Sequence, residues 1–337
     1  MLEESRYARR SEDPDKPAGE PNLAAIRAEH LVRDYGSTRA VDGIDLSIRR
    51  GEIYGFLGPN GAGKSTVIRM LCTLLRPTAG RAVVAGHDVE SEPGEVRLRI
   101  GVALQDAALD PRQTGRELLT LQGRLYGMNR RQIRQRLTDV LDLVDIGQAI
   151  DRRIGTYSGG MKRRLDLATA LVHNPEVLFL DEPTTGLDPE SRRHVWSEVQ
   201  RLNAERHMTI FLTTQYLEEA DALAGRIGII DRGRLIAEGA PEQLKRSVGE
   251  DLIVAEVEGD DPRALDDLRS LQVVTGASRI RDRIFVTTPN AAAAVSPVSV
   301  QLDEARLQVR SITLRSPTLD DVYRELTGTH IEVVTAS

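Results

Sequence analysis

The chain has 337 residues, is 40% hydrophobic, carries a formal net charge of -6 and contains a single cysteine, Cys72. That length can bury a full core and suits one large domain with a smaller one; the negative balance argues against a broadly basic nucleic-acid surface, and one cysteine excludes an internal disulfide or a multi-cysteine metal site. No run approaches the ~18 apolar residues of a membrane span, and Met1 to Arg6 lack the basic and apolar regions of a secretory signal, so neither a bilayer span nor export is expected.

Residues 1 to 22 are polar and carry Pro14, Pro17, Gly19 and Pro21, the composition of a disordered lead-in. Ile26 to Val32 and Val41 to Ile48 alternate like strands around a Tyr35-Gly36 turn, and Glu52 to Leu57 reads as a short buried strand. Thr66 to Leu75 has helical periodicity, with Cys72 on its apolar face as a small buried hydrophobe. Residues 81 to 104 look strand-rich, and 113 to 173 repeat apolar residues at helical spacing with arginine-rich polar faces, the pattern of a helical subdomain.

A buried strand returns at Val177 to Leu180. It is followed by a helix at Ser191 to Arg206, a strand at Met208 to Thr213, a helix at Leu217 to Ala224 and a strand at Arg226 to Asp231, with turns at Gly233 and Gly239. Strands alternating with helices in this way predict a mainly parallel α/β sheet spanning 26 to 245. From Asp251 the pattern changes to strands at Leu252 to Val257, Val273 to Thr275, Ile284 to Thr287 and Leu307 to Leu314. Helices at Pro262 to Leu271, Asn290 to Ala305 and Thr318 to Thr327 alternate with them. This predicts a small accessory α+β domain over 251 to 330 with a split βαβ arrangement.

Two stretches carry explicit chemistry. Gly58-Pro59-Asn60-Gly61-Ala62-Gly63-Lys64-Ser65-Thr66 satisfies G-x-x-x-x-G-K-[ST] between an expected strand and an expected helix, the context of a phosphate-binding loop. Gly58, Gly61 and Gly63, with Asn60, let backbone N–H groups turn toward phosphates at a helix N-terminus. Lys64, one of only four lysines, is then placed to reach the β- and γ-phosphates of ATP; the Ser65 hydroxyl suits Mg²⁺, and Thr66 can donate to a phosphate. Val177 to Asp181 ends a buried strand in a carboxylate, at the sheet edge where ligands bind in such folds. Asp181 suits Mg²⁺, held directly or through water, while Glu182 can orient or deprotonate the attacking water.

Ser158-Gly159-Gly160 precedes another apolar helix; it offers a hydroxyl and bare N–H groups to an anion, and is equally an ordinary helix cap. His173, His194 and His207 lack paired ligand spacing and are read as surface or core residues.

The phosphate loop, Gln105, Tyr157-Ser158-Gly159-Gly160-Met161, Leu180-Asp181-Glu182-Pro183-Thr184 and Gly186-Leu187-Asp188 together resemble the ATP-binding subunit of ABC transporters, over Ala28 to Lys245. The resemblance implies a P-loop NTPase fold with an inserted helical subdomain, binding ATP and Mg²⁺. It further implies a homodimer in which each phosphate loop faces the Ser158 to Gly160 segment of the other copy, beside a separate polytopic membrane permease subunit. Tyr35 would stack on adenine, Gln105 would contact Mg²⁺ or water and sense the membrane partner, and Asp188 would bridge the subunits. Such a chain would sit at the cytoplasmic face of the membrane through its permease, and no nucleic-acid partner is expected.

The sequence departs from the family at one place. A histidine that contacts the γ-phosphate is usual after two threonines, and here the run is Thr213-Thr214-Gln215-Tyr216-Leu217. Gln215 can donate a hydrogen bond but carries no charge and shuttles no proton. That run and Pro317-Thr318-Leu319-Asp320-Asp321-Val322-Tyr323 resemble the daunorubicin/doxorubicin-type drug-resistance branch, which implies export of drugs or lipid-like amphiphiles.

Two other readings compete. ABC-type ATPases that act on DNA carry a long coiled coil, and no three-heptad repeat lies between Lys64 and Asp181; those that act on ribosomes usually carry two ATPase units in one chain, and only one Gly-Lys-Ser occurs. An ATP sensor with little turnover is compatible with Gln215, and intact Lys64, Ser65, Asp181 and Glu182 speak against it.

Overall fold

The computed structural model of the chain describes residues 24–104, 109–144 and 146–328. The lead-in expected at 1 to 22, residue Gln105, and positions 329 and 330 of the expected accessory domain lie outside the described residues.

Strands β1 (Ala24–Tyr35) and β2 (Thr38–Arg49) form an antiparallel hairpin in which Tyr35 pairs with Thr38 across Gly36. β3 (Ile53–Leu57), buried at every position, delivers the chain to α1 (Lys64–Leu71). β4 (Ala79–Val84) returns to pair with β1, and β5 (His87–Asp88) extends that sheet. The stretch expected to be strand-rich then contains a helix, α2 (Pro93–Arg99), before β6 (Ile100–Ala103). Pro93 presets its first turn, and a 2.6 Å Arg99–Glu95 ion pair spans its last.

The expected helical subdomain consists of α3 (Gly115–Leu125), α4 (Arg130–Val144), two 3-10 turns and α5 (Gly159–Leu171). Thr114 and Glu117 form a capping box that starts α3. Beyond it come β7 (Val177–Asp181), α6 (Pro189–Arg206), β8 (Thr209–Thr214), α7 (Leu217–Leu223) and β9 (Arg226–Asp231). Gly233 turns the chain as expected, but Gly239 closes a further strand, β10 (Arg234–Gly239), which leads to α8 (Pro241–Val248).

The C-terminal stretch runs β11 (Asp251–Glu258), α9 (Ala264–Ser270), β12 (Gly276–Ile280), β13 (Arg283–Thr288), α10 (Ala291–Glu304), β14 (Gln308–Arg315) and α11 (Leu319–Thr327). Val273 to Thr275, expected as a strand, is instead the turn before β12. Val274 reaches the core from that turn while its N–H is taken by Leu271 O.

The central sheet has the order β10-β9-β3-β8-β7-β6, parallel from β9 to β6, with β10 antiparallel at its edge. An antiparallel sheet, β2-β1-β4-β5, packs beside it. Tyr54, Phe56 and Phe179 surround Phe211 with ring centroids 5.5 to 5.7 Å apart, filling one face of the central sheet; the helical subdomain covers the other. A third sheet, β12-β13-β11-β14, is antiparallel throughout, and α9 and α10 each connect strands that flank a third, which is the split βαβ arrangement. α9 and α10 close its separate apolar core. α11 does not join that core: Leu319, Val322 and Tyr323 pack with Leu57, Ile227, Ile229 and Leu244 of the parallel-sheet body, and the Tyr323 hydroxyl donates to Asp231 Oδ1 at 3.3 Å.

Candidate functional site

The loop from Gly58 to Gly63 sits at the C-terminal end of β3, tied to the neighbouring strand by Gly58 N–H donating to Thr214 O at 3.2 Å. Its glycines answer different needs. A Cβ on Gly58 would lie 2.4 Å from Ile230 O, so no side chain fits there; Gly63 has φ 109° and faces Ala40 O as closely. Gly61, at φ 81°, is required by conformation alone and is exposed, as is Asn60. Thr66 is half-buried in the first turn of α1.

Lys64 is 4% exposed. Its Nζ donates to Gly58 O (2.8 Å) and Pro59 O (3.0 Å) and lies 3.3 Å from Glu182 Oε1. Burial lowers its pKa, and the charges of Glu182 and Asp181 offset only part of that. A buried ammonium held by loop carbonyls and one carboxylate is positioned to exchange those partners for phosphate oxygens.

Asp181 ends β7 with its Oδ1 accepting from the Ser65 hydroxyl at 3.1 Å and the Thr213 hydroxyl at 2.6 Å. Glu182, the next residue, is buried with φ 48°, an uncommon conformation for a non-glycine residue. Two interactions hold it there: its N–H donates to Thr213 O and Oγ1, both at 3.1 Å. The Thr185 hydroxyl reaches Oε2 at 3.2 Å, leaving Oε1 aimed at Lys64. Local conformation thus turns Asp181 and Glu182 in different directions, one toward Ser65 and one toward Lys64.

Gln215 follows β8, is 4% exposed, and its Oε1 has no hydrogen-bond partner among the described residues. A buried acceptor left open in this way points to a group that binds there.

Ser158, Gly160 and Asp188 gather elsewhere. Ser158 caps α5 by accepting from Met161 N–H at 3.2 Å. Asp188 caps α6, with Oδ1 accepting from Glu190 and Ser191 N–H and Oδ2 from the Ser191 hydroxyl at 2.6 Å. The two caps meet where a Cβ on Gly160 would press on Ser191 Oγ at 2.9 Å. Ser158 and Asp188 are exposed, and among the described residues no hydrogen bond joins either to Lys64 or Glu182. Tyr35 is also apart, 44% exposed at the end of β1 with the Arg33 guanidinium 4.8 Å from its ring centre. Gln105 lies outside the described residues.

Sequence reading missed Arg163, in α5. Its guanidinium donates to Leu104 O (2.8 Å), Pro183 O (2.9 Å) and Asp181 O (3.3 Å), and pairs with Asp166 at 3.0 Å. It therefore ties the helix that Ser158 starts to the backbone on both sides of Glu182. In the sequence it is one of many arginines on a helix, and only its i, i+3 spacing from Asp166 hinted at a pair. Burial pushes the Asp166 carboxyl up to about 6, with Arg163 pulling the other way.

A family model described as ABC transporter matches residues 41–185. The daunorubicin resistance ATP-binding protein DrrA2 of Streptomyces coeruleorubidus is 47% identical over 91% of this chain and 96% of its own length. The Nod factor export ATP-binding protein I of Burkholderia orbicola is 40% identical over 92% of this chain and 99% of its own. Among solved structures, the dimeric structure of MJ0796, a bacterial ABC transporter cassette, superposes with a TM-score of 0.58 at 25% identity, covering 64% of this chain and 98% of that one. The chain belongs to the ABC transporter family, as an ATP-binding protein related to those of daunorubicin and doxorubicin resistance.

Proposed function

We propose that this protein binds and hydrolyses ATP to power export of drugs or lipid-like amphiphiles through a separate membrane subunit. The observation that carries the reading is the convergence of Lys64, Ser65, Asp181 and Glu182 at one end of the parallel sheet, with Glu182 aimed at Lys64 rather than at Asp181. Names of relatives in drug resistance and Nod factor export support the direction of transport.

In this reading the glycine loop's N–H groups and Lys64 neutralise the β- and γ-phosphates. Glu182 accepts the proton of the attacking water, with its carboxylate held by Thr185 and its backbone by Thr213. Gln215 orients the water, which donates to its open Oε1, or the γ-phosphate, to which its amide N–H₂ donates. The residues also fit Mg²⁺: Ser65 Oγ and Asp181 Oδ1 are 3.1 Å apart, close to the ~2.9 Å between neighbouring ligands of an octahedral Mg²⁺. When bound, the ion would offset charge on the phosphates; Ser65 and Asp181 would hold it, with Gln105 as the third candidate.

Two copies pair head to tail, so that Ser158 and Gly160 of one meet the phosphate loop of the other. The exposure of Ser158 and Asp188, neither of which bonds Lys64 or Glu182 within one copy, supports that pairing, and the exposed Tyr35 ring supports stacking on adenine. None of the described helices is long and apolar enough to cross a membrane, so the reading places the chain at the membrane through its permease. The ATPase body comprises 26 to 245 together with α11, and β11 to β14 with α9 and α10 form the accessory unit.

The test is Mg-ATP hydrolysis by wild type beside Glu182→Gln. Loss of a general base costs ~10² to 10⁴ in rate, with ATP binding retained. Equal background rates in both proteins would sink the hydrolase reading and leave an ATP sensor.

A further inference from the structure

Glu219 lies in α7 with no exposed surface. Its Oε1 accepts from the Thr184 hydroxyl at 2.8 Å and from Trp196 Nε1 at 3.0 Å. Burial raises its pKa most, and the hydrogen bonds from Thr184 and Trp196 and the charge of Arg192 offset part of that; its Oε2 has no hydrogen-bond partner among the described residues. A carboxyl group in such a place is costly unless it is hydrogen-bonded or faces a charge, and the buried Ala220 and Leu223 lie on the same helix.

The partners come from the segments that frame the proposed γ-phosphate position. Glu219 itself lies four residues after Gln215, in the first turn of α7. Thr184 sits between Glu182 and Asp188, in a turn closed by Thr185 N–H donating to Glu182 O and Leu187 N–H donating to Thr184 O, both at 3.2 Å. Trp196 belongs to α6, which Asp188 caps. One buried carboxyl group on α7, the helix that follows Gln215, therefore gathers the turn after Glu182 and the helix after Asp188.

We propose that Glu219 is a positioning residue for ATP turnover, fixing through Thr184 the placement of the Glu182 turn relative to Gln215, which lies four residues before Glu219, just ahead of α7. The inference rests on the hydrolysis reading above. Glu219 touches no reacting atom; it sets the spacing between two groups that do, and that spacing matters because small misplacements are costly in rate.

The experiment uses the full chain and measures kcat and the KM for ATP, with the folded fraction from circular dichroism. Glu219→Ala and Thr184→Val are each expected to lower kcat at least about tenfold while the KM for ATP stays within about threefold. Glu219→Gln keeps an oxygen that accepts from Thr184 and Trp196, and is expected to recover at least about a third of the wild-type kcat. Thr184→Val removes only a hydroxyl at similar volume; a kcat within about twofold of wild type in that variant overturns the inference. So does a Glu219→Ala whose loss of rate matches its loss of folded protein. Glu182→Gln measured alongside separates the two ideas. A wild-type rate there ends the hydrolysis reading, whereas a lost rate there beside an unaffected Thr184→Val ends only the positioning role.

Discussion

The parallel-sheet body and the C-terminal sheet bury different things. In the body, Lys64, Asp181, Glu182, Thr213, Gln215 and Glu219 are buried near the C-terminal ends of strands. In the C-terminal unit the core is Ile253, Ala255, Val257, Ile284, Val286, Val298 and Leu302, and Thr288 is its one buried polar residue among the described residues. Thr288 is satisfied by donating to Val273 O. Buried polar groups are costly, so concentrating them in one region of a chain marks where stability is spent on chemistry. The C-terminal unit packs as a structural body whose charges stay at its surface.

Paired substitutions sharpen that contrast. The largest effect is expected from Lys64→Ala, which removes phosphate neutralisation and leaves Glu182 without its cation. Hydrolysis should fall by roughly 10³-fold, and ATP binding, followed by nucleotide fluorescence titration, should weaken with it. Ile253→Ala in the other core is expected to lower unfolding stability in urea by about 2 to 5 kcal/mol while kcat per folded molecule stays at the wild-type value. A large drop in kcat from Ile253→Ala would break the division between the two regions.

A smaller effect concerns Asp166, whose folded pKa of about 6 lies above its unfolded value. The folded protein then holds that proton more tightly, so the contribution is full below about pH 4 and is lost as pH rises through about 6. Compared with Asp166→Asn, wild type should lose about 2 kcal/mol of relative stability between pH 4 and 7, read from urea midpoints at each pH. A difference that stays flat with pH would show that Asp166 is not titrating as its burial demands. Smallest is Gln215→His, which introduces a group titrating near 6.5. The pH–rate profile should gain an inflection about there, changing the rate a few-fold, where wild type has none from this position.

Legibility in the sequence followed the range of the interactions. The phosphate loop and Asp181-Glu182 were readable because a glycine pattern between strand and helix, and a carboxylate at the end of an apolar run, are local consequences of backbone geometry. The strand at Val177 to Asp181 was readable for the same reason, and so was the helix expected at Ser191 to Arg206, which starts two residues earlier at Pro189. β10 was missed because an edge strand in which none of the six residues is buried carries no apolar alternation. Arg163 and Glu219 were invisible as site residues. Each is one charged residue on a helix, and what distinguishes it is which distant carbonyls and hydroxyls the fold brings to it.

The sequence alone therefore determined the phosphate-binding chemistry, the alternation of strands and helices around it and the family, because those depend on contiguous residues whose spacing matches a helix turn, a strand or a loop. Only the tertiary structure decided that α11 packs on the ATPase body rather than on the sheet it follows, and that Glu182 faces Lys64 while Asp181 faces Ser65. It also decided that Glu219 and Arg163 each tie together segments far apart in the chain. These follow from long-range packing, in which a residue's partners are set by where the sheet and helices place them and not by its neighbours in sequence.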